Sequence, residues 1–114
     1  MSQDCIFCKI VNKEIPADVV YEDDLVIAFN DIAPQAPVHV VIIPKEHFDS
    51  ILSVQAGNDI ICHIHTVANR VALKTGIAET GFRLVNNCGK DGNQTVPHLH
   101  YHLLGGRPLL WPPG

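Results

Sequence analysis

The sequence contains no long hydrophobic run, and this absence separates it from proteins that span a membrane by a helix. No stretch approaches the roughly 20 apolar residues that a transmembrane helix needs. The first residues are polar and acidic, whereas a secretory signal has a basic segment followed by an apolar one. We therefore expect no secretory signal, and a reducing cytoplasmic location in which disulfides are rare. In that setting the Cys5-x-x-Cys8 spacing favours metal binding or redox chemistry.

Positive charge is also scarce. The chain has 8 basic and 12 acidic residues, a net charge of −4, and no basic run interleaved with aromatic residues. A nucleic-acid polymer is therefore not an expected partner, although a single nucleotide is compatible with this composition. The chain also lacks internal repeats, low-complexity segments and linkers. With 114 residues, 46% of them hydrophobic, we expect one domain that spans residues 1–114 and has its own core.

Histidine, in contrast, is concentrated in one short stretch. Three of the seven histidines, His98, His100 and His102, alternate with apolar residues. Because side chains alternate across a β-strand, this pattern predicts a strand over 98–104 with all three imidazoles on one face. Leu99, Tyr101 and Leu103 then occupy the other face. The pattern leaves two chemistries open: the histidines are metal ligands, or they act as nucleophile and phosphate-binding groups.

Hydrophobic periodicity along the rest of the chain predicts an α+β fold. An antiparallel sheet of about five strands is expected with one long and one short helix. The long helix has apolar residues at 3-4 spacing and is expected to stop at Gly76. Asp4 is the expected cap of the short helix, and Asp49 that of a further helical turn. The predicted strands are 19–22, 25–30, 38–44, 81–87 and 98–104, and the predicted helical segments are 5–11, 51–52 and 58 to about 74.

The histidine stretch and its flanks resemble the signature of the histidine triad (HIT) superfamily. Segment 29–39 resembles the nucleoside-binding segment of that family. Gly105-Gly106-Arg107 and Trp111-Pro112-Pro113-Gly114 look like the Hint branch, the nucleoside phosphoramidases. This resemblance implies the HIT fold and a homodimer. In the dimer the long helices and the edge strands of the two chains are joined, and the two sheets become one continuous sheet. The resemblance also implies hydrolysis of the P–N bond of purine nucleoside 5′-phosphoramidates, typically those of AMP.

The same resemblance implies roles for individual residues. The nucleophile is His100, which attacks the α-phosphorus and forms a nucleotidyl-histidine that water then hydrolyses. His39 and His102 are expected to donate to phosphate oxygens, and the Thr95 hydroxyl faces the leaving group. The expected nucleotide-binding residues are Phe7, Ile10, Phe29 and Ile32 around the base, Asp31 at the ribose, Asn87 at the phosphate, and Gln94 beside the leaving group.

One position departs from the Hint pattern. Hint enzymes commonly carry Ser where this chain has Thr95, and Gln94-Thr95-Val96 looks more like the Fhit branch, whose members cleave dinucleoside polyphosphates. The alternatives are therefore hydrolysis of dinucleoside polyphosphates or nucleotidyl adenylates, or a nucleotide-binding scaffold with incidental hydrolysis.

The resemblance also implies a metal site. Many bacterial HIT proteins carry two Cys and two His for one zinc ion, which here are Cys5, Cys8, His47 and His98. We expect a closed, structural zinc site of these four residues, and no cofactor in the chemistry itself. The alternative is that Cys5 and Cys8 are ordinary thiols. Of the remaining candidates, His63 and His65 are expected at the surface or an interface, and Cys62 and Cys88 as buried free thiols.

Overall fold

A computed structural model describes residues 4–114 and contains a five-stranded antiparallel sheet with helices on both faces. The α+β class and the five antiparallel strands are thereby confirmed. The helices are α1 (Ile6–Val11), α2 (Ile60–Thr75) and α3 (Ile77–Thr80), with a 3₁₀ turn at Ile51–Ser53. The strands are β1 (Val19–Glu22), β2 (Val26–Asn30), β3 (Val38–Pro44), β4 (Phe82–Asn86) and β5 (Tyr101–Gly105).

The strand order is β1-β2-β3-β5-β4, so β5 lies between β3 and β4 although it follows both in the chain. Val41 of β3 and Val85 of β4 pair with His102 from either side. β5 is thus hydrogen-bonded along both edges, which gives the histidine strand a rigid support. β1 and β4 form the two edges of the sheet.

Both faces of the sheet are covered by apolar side chains. Val40 and Ile42 of β3 belong to the core beneath α2, while Val41 and Ile43 belong to a smaller core that includes Ile10 of α1. Because alternate residues enter different cores, β3 is buried along nearly its whole length. This explains its almost continuous apolar sequence.

The long helix is close to its predicted bounds. Its buried residues repeat at helical spacing and face the sheet. Asn58 Oδ1 accepts the Ile60 N–H at 2.9 Å before the first turn. Gly76, with a left-handed φ of 85°, ends the helix as predicted, because this conformation is unfavourable for residues with a Cβ. No helix among residues 4–114 is long and apolar enough to cross a membrane.

The helix caps differ from the prediction. Cys5, not Asp4, caps α1, because its Sγ accepts the Cys8 N–H at 3.3 Å. Ser50, not Asp49, caps the 3₁₀ turn, since its hydroxyl accepts the Leu52 N–H. The four-residue helix α3 was not predicted, because it is too short to show a hydrophobic period.

Candidate functional site

The histidine stretch enters the sheet later than predicted. β5 begins at Tyr101, so His98 and His100 precede the strand that was expected to contain them. The reason is that the backbone bonds of this segment go elsewhere: Leu99 N–H donates to Phe48 O at 2.7 Å. The predicted separation of faces nevertheless holds. The His100 ring lies 5.1 Å from the rings of Phe7 and His102, between centroids, whereas the intervening apolar side chains enter the core beneath α2.

His100 has one ring nitrogen engaged and the other free for chemistry. It is buried, with 2% of its surface exposed, and its Nδ1 lies 2.7 Å from the carbonyl oxygen of His98. Because a carbonyl only accepts, Nδ1 carries the proton in this bond and Nε2 keeps its lone pair. Burial lowers the pKa of His100, which favours the neutral ring. A neutral imidazole with a free Nε2 is a competent nucleophile near neutral pH.

His39 and His102 form a second hydrogen-bonded arrangement beside His100. The Gln35 N–H donates to His39 Nδ1 at 3.0 Å, so the proton of a neutral His39 is on Nε2. That Nε2 lies 2.9 Å from His102 Nδ1. His102 Nδ1 therefore accepts, and the proton of His102 is on its Nε2. Burial lowers the pKa of His39. Burial, and to a smaller extent the neighbouring histidines, lowers the pKa of His102 to about 4.

An apolar surface adjoins the histidines. Phe7 of α1 contacts Phe29 of β2 edge-on, with ring centroids 5.8 Å apart, and Ile10 belongs to the same cluster. Ile32 does not join them. It lies in the loop after β2 and is fully exposed. The structure thus brings together three of the four residues expected around a base.

The loop between β4 and β5 holds the remaining predicted residues. Asn87 is half-buried and Thr95 is exposed. Gln94 is occupied within the protein: its Nε2 donates to Asp49 O at 2.7 Å and to Val96 O at 3.0 Å, and its Oε1 accepts the Gly89 N–H at 3.0 Å. The side chain of Gln94 therefore stabilises this loop against the segment after β3.

The four residues expected to bind metal are brought together. Their ligand atoms all lie within 4.8 Å of one another, and we call this group the cysteine–histidine cluster. The Nδ1 atoms of His47 and His98 lie 3.0 Å apart. The sulfur atoms lie close by: Cys5 Sγ is 3.3 Å from His98 Nδ1, and Cys8 Sγ is 3.2 Å from His47 Nδ1.

The two histidines of this cluster are hydrogen-bonded on the side that faces away from it, and this leaves their inner nitrogens free to bind a cation. His98 Nε2–H donates to Pro44 O at 2.9 Å, and His47 Nε2–H donates to the Asp49 carboxylate at 2.8 Å. Both neutral rings thus direct an Nδ1 lone pair inward, where the two repel unless a positive charge lies between them. Two imidazole nitrogens and two thiols form a ligand set that can hold a metal ion. Burial, followed by the hydrogen bond to Cys5, raises the pKa of Cys8 to about 11.

A second group of potential ligands is equally close together, but its inward-facing histidine nitrogen carries a proton. Asp31, His39 and His102, the aspartate–histidine cluster, also have ligand atoms within 4.8 Å. Here the outer nitrogen of His39 accepts a backbone N–H, so its proton points into the cluster. A cation would have to displace that proton and break the Gln35 bond. This cluster is therefore suited to donating hydrogen bonds, and the cysteine–histidine cluster to binding a cation.

Two residues that contribute hydrogen bonds to the site, Gln35 and Asp49, were not predicted to do so, and the burial of two cysteines was predicted wrongly. The Gln35 contribution comes from its backbone N–H, which leaves no signal in the side-chain pattern. Asp49 was assigned to a cap, but its carboxylate binds His47. The prediction that Cys62 and Cys88 are buried is wrong: Cys62 is exposed on the outer face of α2, and Cys88 is half-buried in the polar loop.

Comparison with known proteins shows the family to which this chain belongs. The model of the HIT domain family matches residues 12–109, and the chain belongs to this family. A purine nucleoside phosphoramidase of Escherichia coli K12 is 49% identical over 110 residues, which cover 96% of this chain and 92% of that protein. The crystal structure of a HIT family hydrolase from Legionella pneumophila has a TM-score of 0.95 and 48% identity, covering 97% of this chain and 100% of that one.

A histidine triad protein from Clostridium difficile is also similar, with a TM-score of 0.93 and 53% identity over 96% of both chains. These findings confirm the resemblance to the histidine triad superfamily, the HIT fold and the expected class, a hydrolase of the histidine triad type. Cys5 and Cys8 lie outside the segment that matches the family model.

Proposed function

We propose that this protein hydrolyses purine nucleoside 5′-phosphoramidates through a covalent intermediate on His100. The observation that carries the proposal is the bond from His100 Nδ1 to His98 O, which leaves Nε2 unprotonated beside a hydrogen-bond donor, His102. Similarity to a purine nucleoside phosphoramidase over nearly the whole chain supports the same substrate class.

In the first step, His100 Nε2 attacks the α-phosphorus and the P–N bond breaks. The leaving nitrogen takes up a proton from the bulk solvent, relayed by the Thr95 hydroxyl, and departs as a neutral amine; the proton released in the second step restores the balance. His102 Nε2–H donates to a phosphate oxygen whose negative charge grows during the attack. In the second step, water attacks the phosphorus, the bond to Nε2 breaks and a proton is released. His100 leaves easily because its Nδ1 keeps a proton throughout, so that the nucleotidylated ring is cationic.

The nucleotide is held by the surroundings of the histidines. We assign the base to the apolar surface of Phe7, Ile10 and Phe29, with the exposed Ile32 at its rim, and the phosphate to Asn87. Asp31 accepts the ribose hydroxyls through a carboxylate that is already oriented, since its Oδ1 accepts the Ala33 N–H at 2.8 Å. Gln94 supports the loop on the leaving-group side. AMP conjugates are the expected substrates, because stacking on apolar rings favours a purine.

A single-turnover assay with a fluorogenic AMP-amine phosphoramidate tests the nucleophile. His100→Ala and His100→Gly should lose activity by roughly three orders of magnitude or more, as expected for loss of a nucleophile. Intact-mass analysis should trap one AMP adduct on the wild type alone. Variants that hydrolyse the substrate as fast as the wild type would refute the assignment of His100.

Thr95 provides a specific reason to examine a second activity, the hydrolysis of dinucleoside polyphosphates. A substrate panel that compares phosphoramidates with dinucleoside polyphosphates, on the wild type and Thr95→Ser, separates the two. Preference for the polyphosphate would favour the alternative, and tight AMP binding without turnover of either would favour the scaffold.

We also propose that the cysteine–histidine cluster binds a structural zinc ion. Two thiolates and two neutral imidazoles are a set that zinc prefers, and four protein ligands leave no open position for water. The ion would fasten α1 to the segments after β3 and before β5. Free thiols at this cluster fit the reducing cytoplasm that we propose as the location.

We further propose a homodimer joined along β4. This strand lies at one edge of the sheet with one side free for pairing, and Phe82 leaves an apolar ring 38% exposed there. Pairing with a second copy would extend the sheet and cover this ring.

A further inference from the structure

Asn86 binds the backbone of the proposed nucleophile. Its side-chain Nδ2–H donates to the carbonyl oxygen of His100 at 3.0 Å. Asn86 is the last residue of β4 and pairs with Tyr101, the first residue of β5. This side-chain bond therefore continues the connection between the two strands by one residue, beyond the end of the regular ladder.

The position of this bond matters because His100 lies just outside the sheet. From His98 to His100 the chain is irregular, and it is held by separate bonds, such as Leu99 N–H to Phe48 O at 2.7 Å. That bond comes from the β3 side. Asn86 provides a hydrogen bond from the β4 side, and this bond is made to the carbonyl oxygen of His100 itself.

The ring of His100 is sensitive to rotation of its own peptide. Its Nδ1–H bonds to the carbonyl of His98, only two residues earlier, so the direction of Nε2 depends on the backbone between them. The His100 carbonyl carbon is attached to the same Cα as the ring, so movement of this carbonyl would tilt the Cα–Cβ bond and displace Nε2 from the line of attack. Displacements of about 1 Å at a reacting atom are enough to slow a reaction strongly.

We propose that Asn86 is a positioning residue, whose side-chain amide holds the His100 peptide so that Nε2 faces the α-phosphorus. This inference rests on the proposed function of His100. It assigns Asn86 no contact with substrate. Removal of the amide should therefore lower kcat and leave KM largely unchanged.

Two substitutions separate the hydrogen bond from packing. Asn86→Leu keeps the shape of the side chain and removes the donor, and kcat should fall roughly 5- to 50-fold with KM within about twofold. Asn86→Gln restores an amide donor on a longer side chain and should recover part of the loss. Asn58→Ala is the matched control, because it removes another asparagine side-chain bond, to the Ile60 N–H at the start of α2.

A second measurement follows the His100 Nδ1–H by NMR, because this proton is buried and bonded in the wild type. Its exchange with water should be faster in Asn86→Leu and unchanged in Asn58→Ala. Unaltered kcat and exchange in Asn86→Leu, or an equal loss of kcat in Asn58→Ala, would overturn the proposal. If the wild type does not hydrolyse phosphoramidates, the proposed function fails, and the exchange rate alone then decides whether Asn86 holds the His100 peptide.

Discussion

The direction of each hydrogen bond decides what each imidazole can do. His98 and His100 differ by two positions, yet His98 donates through Nε2 and His100 through Nδ1. The first ring therefore offers Nδ1 to the cysteine–histidine cluster, and the second offers Nε2 to a substrate. The closeness of the ligand atoms alone does not make this distinction, since those of the aspartate–histidine cluster also lie within 4.8 Å of one another.

The stability of the protein should decrease as the pH falls below 6.5. Burial and the neighbouring histidines lower the pKa of His102 from 6.5 to about 4. Between these values the unfolded chain binds a proton that the folded chain does not, so acid favours unfolding. The contribution is about 1 kcal/mol, allowing for the partly exposed ring. Urea unfolding at pH 7, 6 and 5 measures it, and His102→Gln should give a shallower slope. An identical slope would contradict this origin.

At the scale of elements, the predictable parts were those that depend on periodicity. The bounds of β1 and β3 agree with the prediction, because apolar residues there alternate or run continuously between turn residues. The ends of α1 and β5 were not predictable in this way. The α1 cap is a cysteine that acts as an acceptor, and β5 begins late because Leu99 bonds to Phe48, which is distant in sequence.

In the turn between β1 and β2, the carboxylate of Asp23 is hydrogen-bonded to residues of β1, β2 and α2. Asp23 Oδ1 accepts the N–H groups of Leu25 and Val26, and Oδ2 accepts the Tyr21 hydroxyl at 2.8 Å and His63 Nε2–H of α2 at 2.7 Å. Burial alone would raise the pKa of Asp23, but these bonds lower it well below its usual value. The turn was predicted, whereas its bond to α2 was not.

Asp23→Ala should destabilise the protein by about 2–3 kcal/mol, since it removes bonds to a charged acceptor and leaves several donors unpaired. The free energy of unfolding in urea measures this. The neighbouring Asp24 is exposed and serves as the control, and Asp24→Ala should change stability by no more than about 0.5 kcal/mol. Equal effects of the two substitutions would indicate that the turn, rather than the carboxylate network, is responsible.

The attachment of α1 should depend on the proposed zinc ion. Chelation or Cys8→Ser should remove one zinc ion per chain and accelerate amide exchange in α1, because α1 has only six residues and contributes Cys8 to the cluster. Elemental analysis and hydrogen exchange measure these effects. Cys62→Ser changes an exposed thiol on α2 and should alter neither quantity. Metal-free protein with unchanged exchange in α1 would contradict a structural zinc ion.

At the scale of the whole molecule, the two edges of the sheet offer a matched test of the dimer. The wild type should have twice the chain mass of 12.5 kDa by light scattering. Phe82→Lys places a charge on β4 and should give the single-chain mass at the same concentration. Val19 on the opposite edge is similarly exposed, at 41%, and Val19→Lys should leave the mass unchanged. A wild type of single-chain mass would refute the dimer.

Much of the site could be anticipated because its side chains are chemically distinctive. The structure gathers His39 and His102 beside His100, and all four residues of the cysteine–histidine cluster, as the sequence suggested. What could not be anticipated depends on groups that every residue possesses. The backbone N–H of Gln35 and the carbonyl oxygens of Pro44 and His98 determine the protonated nitrogens, and only the fold brings them to the rings.

The strand order also has a consequence for synthesis on the ribosome. The strands β1, β2 and β3 emerge first and can form a meander. One edge of β3 remains unpaired until β5, the last strand in the chain, has emerged. Until then the nascent chain exposes an apolar strand with unpaired N–H and C=O groups, a surface on which chains can aggregate. Translation that stalls before Tyr101 would leave this strand open, so the stretch that carries the histidine triad also completes the centre of the sheet.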